Sequence, residues 1–150
     1  MIQKAGSIQE LEQAAFLASC LWPRHSPREL QAEWESPLAQ GEAALFLAVE
    51  NGKPVGFAHY DLRHDSVAGT ATSPVGYLEG ICVQQPFQGR GIGKALVRAC
   101  ESWALVKGCR EFARDCEWEN VQSLRFHLGG GLCEAERLNC FAKNLPGRHP

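Results

Sequence analysis

The sequence predicts a mixed α+β fold in a single domain spanning residues 1–150. Three observations carry that expectation. Two β-rich runs joined by a tight turn come early in the chain, helical periodicity alternates with short strands after them, and no linker-like stretch interrupts a length within the roughly 100–200 residues of one domain. A sheet that begins with a hairpin and later takes crossover helices is a mixed layer, which excludes a pure doubly wound parallel sheet.

The elements follow in order. "SIQE" (7–10) has the form of a capping box, with Ser7 at the N-cap and Glu10 reaching back to it. Ile8, Leu11, Ala15, Ala18 and Leu21 with Trp22 then recur at helical spacing, predicting a first helix that stops at Pro23. A second helix is expected near 27–36, ending before Pro37. "AALFLAVENGKPVGFAHYDLR" reads as a hairpin around Asn51 and Gly52, the pair that most readily adopts the positive φ angles of a type I′ turn. An irregular polar stretch, "HDSVAGTATSPVG", leads into a strand over 77–83, whose interior Gly80 suggests a bulge or a close backbone approach.

Beyond the glycine-rich "QGRGIG" (88–93), the residues Ile92, Ala95, Leu96, Ala99, Trp103 and Val106 mark one face of a helix that Gly108 can terminate. "CREFARDC" (109–116) predicts a strand, "ENVQSLRFHL" (119–128) a short helix stopped by Gly129, Gly130 and Gly131, and "RLNCFAKNL" (137–145) a last alternating strand.

Composition removes several classes of function. A formal charge of −2 gives no global attraction to nucleic acid, so no nucleic-acid partner is expected. Seven cysteines stand singly and odd in number without a C-x-x-C pair; they read as reduced small hydrophobes in a cytoplasmic protein, with no metal site. The longest apolar run, Ala43 to Val49, is far too short to span a bilayer, and the first ten residues carry no apolar h-region, so no membrane partner is expected.

The strongest chemical signal is the glycine loop. A dinucleotide fingerprint beginning at Gly89 needs glycine where Lys94 stands, and a P-loop ending at Gly93-Lys94 needs glycine at Gln88 and Ser or Thr at Ala95. Both fail on position. What remains is a strand, then Gln88, Gly89, Arg90, Gly91, Ile92 and Gly93, then a helix opened by Lys94: amides at a helix N-terminus between two cations, suited to a diphosphate. A ligand-free strand-to-helix turn would have the same residues.

"QGRGIG" resembles the Q/R-x-x-G-x-G/A motif of the GNAT superfamily of N-acetyltransferases, and the element order is similar too. "LWPRH" (21–25), "GFAHYDLRHD" (56–65), "SPVGYLEGICV" (73–83), "KGCREFARD" (107–115) and "EN" (119–120) narrow the resemblance to aminoglycoside 6′-N-acetyltransferases, from about Trp22 to Lys143. The resemblance implies a GNAT acyltransferase fold, with a central, mostly antiparallel mixed sheet flanked by helices. It implies acetyl-coenzyme A as cofactor, its pyrophosphate on the amides of Gln88 to Gly93, its pantetheine arm along Ile81, Cys82 and Val83, and Asn120 touching its far arm. It also implies an aminoglycoside, a small polycationic amine, as acceptor, and a homodimer.

Attack on a thioester needs a neutral amine, whereas an alkylammonium with a pKa of about 10.4 arrives charged. Glu79 and Asp115, each on a predicted strand, are the acids that can bind the cation and take its proton. The resemblance adds Trp22, His25 and Ser66 to the acceptor site, and Glu136 is a further acid expected to thicken its negative field. It places His127 where many GNAT enzymes carry the tyrosine that protonates the departing thiolate, and Ser66 and Phe141 where relatives carry tyrosines. A GNAT enzyme for another small amine and a non-catalytic acyl-coenzyme A-binding domain are the alternatives.

Overall fold

The structure, a computed structural model, describes residues 1–22, 24–65, 67, 70–115, 133–136 and 140–145. Three helices are present among them: α1 (Ile8–Leu21), α2 (Pro27–Ala39) and α3 (Ile92–Val106). The strands are β1 (Ile2–Lys4), β2 (Ala43–Glu50), β3 (Lys53–Arg63), β4 (Val75–Val83), β5 (Glu111–Asp115), β6 (Cys133–Glu136) and β7 (Cys140–Asn144), in the sheet order β1-β2-β3-β4-β5-β7-β6. Among the recorded pairings only β4–β5 is parallel, so the mixed, mostly antiparallel sheet expected from the sequence is present. The expected helix over 119–128 lies outside the described residues.

The chain forms two compact units, 1–61 with 79–100 and 62–78 with 101–150. In the first, capping begins both helices. The Ser7 hydroxyl accepts the Glu10 amide at 3.1 Å and a Glu10 carboxylate oxygen accepts the Ser7 amide at 2.9 Å. Ser26 and Glu29 repeat this box at α2, with Pro27 in its first turn. Contrary to the expected stop before Pro37, α2 continues through that proline to Ala39. Pro37 removes one i→i−4 hydrogen bond and crowds the carbonyl four residues before it, a cost offset where the continued helix lets half-buried Leu38 join Trp34 against the core.

Ala14, Leu17 and Ala18 of α1 and Leu30 and Trp34 of α2 pack with Leu45, Leu47 and Phe57 of the sheet. β2 is buried without a break from Ala43 to Ala48, which is why its sequence reads as a continuous apolar run. The β2–β3 turn has Asn51 at φ 51° and Gly52 at φ 76°, as the type I′ reading requires. The register slips between Ala48 and Val49, whose partners are Gly56 and Pro54, leaving Val55 as the extra residue. β1 pairs antiparallel with β2 and was not legible, since three residues cannot display an alternation.

In the second unit Val75, Tyr77 and Ala113 cluster with Val67, and the Arg63 guanidinium lies 3.7 Å over the Tyr77 ring. α3 ends as Gly108 suggests. Gly108 takes φ 94°, its amide donates to Leu105 O and the Cys109 amide to Ala104 O, the paired bonds of a Schellman cap. β7 runs antiparallel to β5 and to β6, so the last expected strand, 137–145, is present over Cys140–Asn144 and is preceded by a short partner strand that the sequence did not announce.

Candidate active site

The glycine loop is built by two turns. A single 3₁₀ turn over Gln85–Phe87 follows β4, and the Gln88 side chain closes it by donating to Val83 O at 2.9 Å. Gln88 also spends its amide on Gln85 O. Beyond it, Gly89 and Gly91 adopt φ 80° and 83°, conformations that side chains with a Cβ rarely enter. The Gly91 carbonyl accepts the Ala95 amide, the first bond of α3, so Ile92, Gly93 and Lys94 form its open first turn.

Among the described residues, no hydrogen bond engages the amides from Gly89 to Lys94. A Cβ built on Gly89 or Gly91 would meet nothing within 4 Å. These glycines therefore serve backbone conformation and an open approach to the amides, not internal packing. Arg90 lies over the Phe87 ring at 5.2 Å and Lys94 is exposed. Donors without partners, a helix N-terminus and two cations fit a diphosphate.

Before the loop, β4 leaves the core gradually. Val75 to Leu78 are buried, Glu79 is half-buried, Gly80 is buried, and Ile81, Cys82 and Val83 are half-buried. The backbone is crowded here: a Cβ on Gly56 would come within 3.0 Å of Cys82 O, while the Gln84 amide donates to Val55 O. Gly56 thus permits β3 and this end of β4 to approach closely.

Trp22 follows α1 and packs edge-on to Phe57, with ring centroids 6.2 Å apart. Phe57 also meets Trp34, which meets His59, giving a row of aromatic rings along one face of β3. The row terminates in a hydrogen bond from His59 Nε2 to Asp61 Oδ1 at 2.8 Å, a pairing the sequence did not suggest. His25 donates its amide to Trp22 O, and its ring lies 3.9 Å from both Glu29 and Glu33. Trp22 is accordingly a half-buried wall anchored to the core, and His25 an exposed imidazole beside two acids.

Asp115 is the last residue of β5, and its backbone pairs with Cys140. Glu136 ends β6. Ser66, Asn120 and His127 lie outside the described residues. The β4–β5 ladder consists of Gly76↔Phe112 and Tyr77↔Ala113. Glu79 and Asp115 each stand two residues beyond those last pairs in their own strands.

One carboxylate escaped the sequence reading. Glu111, at the start of β5 and only 8 % exposed, accepts the Ala71 amide at 2.9 Å, the Thr72 amide at 2.8 Å and the Thr72 hydroxyl, all on Oε1. Burial alone would raise its pKa. The Thr72 hydroxyl and the two amides outweigh burial and hold it below the ordinary value. Nothing in "CREFARD" distinguishes this acid from a solvated strand-end residue, because its partners lie about forty positions away.

The chain is similar to known proteins over most of its length. The chain is 43% identical, over 97% of both chains, to an aminoglycoside N(6')-acetyltransferase type 1 of Stenotrophomonas maltophilia. It is 40% identical to the enzyme of that name from Salmonella enteritidis, over 89% of this chain and 92% of the relative. The solved structure of AAC(6')-Iy with a bisubstrate analogue, CoA-S-monomethyl-acetylneamine, superposes with a TM-score of 0.86 at 38% identity, covering 91% of this chain and 92% of that one. Residues 6–129 match the acetyltransferase (GNAT) family, and the chain belongs to that family.

Proposed function

We propose that the chain is an aminoglycoside 6′-N-acetyltransferase, which moves the acetyl group of acetyl-coenzyme A to the 6′-amine of an aminoglycoside by direct attack in a ternary complex and so confers resistance. The observation that carries the cofactor half is the stretch of amides from Gly89 to Lys94 at the open first turn of α3, which have no hydrogen-bond partner among the described residues. The acceptor half is supported by relatives of that activity matched along nearly the whole chain. The chain reads as one GNAT domain: the boundaries between its two units cut through β3, β4 and α3, so neither unit is a set of whole elements.

Gly89, Arg90, Gly91, Ile92, Gly93 and Lys94 hold the pyrophosphate, with Gln88 closing the turn that presents them. Ile81, Cys82 and Val83 guide the pantetheine arm, and Asn120 meets the cofactor's other end. When bound, acetyl-coenzyme A supplies an acetyl group activated as a thioester. Trp22 provides an aromatic wall for the sugar, while His25, Ser66 and Glu136 border the acceptor. Glu79 and Asp115 pair with the substrate ammonium and take its proton, directly or through water, so that a neutral nitrogen attacks. The new C–N bond replaces the C–S bond, and His127 returns a proton to the sulfur. A twofold partner chain belongs to the same reading.

Thiol release is the direct test. Purified protein with acetyl-coenzyme A and kanamycin or tobramycin should release free coenzyme A thiol and yield the 6′-N-acetyl product. Cofactor binding by calorimetry without release on any 6′-amino aminoglycoside would overturn the acceptor assignment while leaving the cofactor assignment standing.

A further inference from the structure

Three donors converge on one oxygen where β5 begins: the amides of Ala71 and Thr72 and the Thr72 hydroxyl all reach Glu111 Oε1. Among the described residues Glu111 is the one buried charged side chain. Carboxylates are removed from water only where donors replace it, so these bonds are a condition of Glu111 lying there. Described residues beside them make further contacts. The Thr70 amide and hydroxyl both donate to Val67 O, Ser73 Oγ donates to His64 O, and Val67 packs on Val75, Tyr77 and Ala113.

The grip stands just upstream of a weak point. The parallel β4–β5 ladder has two pairs, Gly76↔Phe112 and Tyr77↔Ala113. So short a ladder specifies register poorly, and a slip of one residue would move a strand by roughly 3.3 Å and turn its side chains to the other face. Thr72 lies four residues before Gly76, and Glu111 lies immediately before Phe112. A bond between them ties the entry of β4 to the entry of β5.

We propose that Glu111 and Thr72 form a register lock between the entries of β4 and β5, which positions the acceptor carboxylate that β5 carries two residues past the ladder. The inference rests on the reading of Asp115 as that carboxylate. Glu111 touches no substrate in this scheme; it is a positioning residue whose loss shows in acceptor use and not in cofactor use.

The test compares wild type with Thr72→Val, Glu111→Gln and Thr72→Ser. In thiol-release assays, Thr72→Val and Glu111→Gln should raise the kanamycin KM about tenfold, the scale of a lost hydrogen bond to a charged group, while the acetyl-coenzyme A KM stays unchanged. Thr72→Ser keeps the hydroxyl and should behave as wild type. Hydrogen exchange in Thr72→Val should quicken across residues 71–77 and stay unchanged over 43–50. Wild-type kanamycin kinetics in both variants, a parallel rise in the cofactor KM, or unaltered exchange overturns the lock. If wild type itself releases no thiol with kanamycin, the aminoglycoside reading fails, and the exchange comparison alone decides the lock.

Discussion

The Ala95 amide donates to the Gly91 carbonyl at 3.0 Å, so α3 starts on a residue held at positive φ. Everything the loop offers an anion depends on that start, because it leaves the next amides pointing outward from the helix end. Gly91→Val should therefore combine backbone strain, of the order of 1–2 kcal/mol or more for a side chain at positive φ, with a side chain in the approach to the amides. Calorimetry should show coenzyme A affinity weakened by at least about tenfold, as for lost bonds to a charged group. Gly108→Ala introduces similar strain just past the opposite end of α3, and there the cofactor affinity should be retained while the melting temperature falls.

The acids are expected to separate from the loop in kinetics. Asp115→Asn and Glu79→Gln should lower turnover or raise the aminoglycoside KM by about 10²-fold or more, the lower range of general acid–base contributions, with coenzyme A binding intact. Steady-state kinetics at varied acceptor and cofactor concentrations checks this. Unchanged aminoglycoside kinetics in both variants would mean that the acceptor site lies elsewhere.

Glu111 makes a prediction about pH and stability. Its folded pKa is depressed from 4.5, because hydrogen bonds from Thr72 and Ala71 outweigh the opposing effect of burial. A depressed carboxylate contributes stability that is fully present above its unfolded pKa and is lost as pH falls through the folded one. Thr72→Val should cost about 1.5–3 kcal/mol at pH 7, the range for a hydrogen bond to a charged group. In urea unfolding the difference from wild type should shrink in acid below pH 4.5. A difference that stays constant from neutral pH into that acid range would show that Glu111 is not the group responsible.

Packing supplies the last prediction. Phe57 is fully buried, and both Trp22 and Trp34 lie against it. Phe57→Ala should cost about 3–5 kcal/mol in denaturant unfolding. The milder Phe57→Leu should keep the fold yet raise the aminoglycoside KM, since Trp22 loses its edge contact. Gly56→Ala, by pressing a methyl group on Cys82 O, should cost about 1–3 kcal/mol as overpacking does.

The sequence by itself determined the local features whose causes are local. Ser7 with Glu10, Asn51 with Gly52, and Gly108 after an apolar helical face name their own caps and turns, because each satisfies backbone geometry within a few residues. The glycines at 89 and 91 likewise marked a strand-to-helix turn, and both take positive φ there. Tertiary structure decided what depends on distant partners. α2 passes Pro37 because half-buried Leu38 packs against the core cluster that holds Trp34, and β1 exists because β2 offers it an edge. His59 finds Asp61 under the Trp34 ring, and Glu111 becomes a buried clamp because the chain returns Thr72 to it after about forty residues. Composition around Glu111 is silent on this, for hydrogen bonding between remote groups leaves no period in a sequence; only folding converts such a residue from a surface acid into one held by three donors.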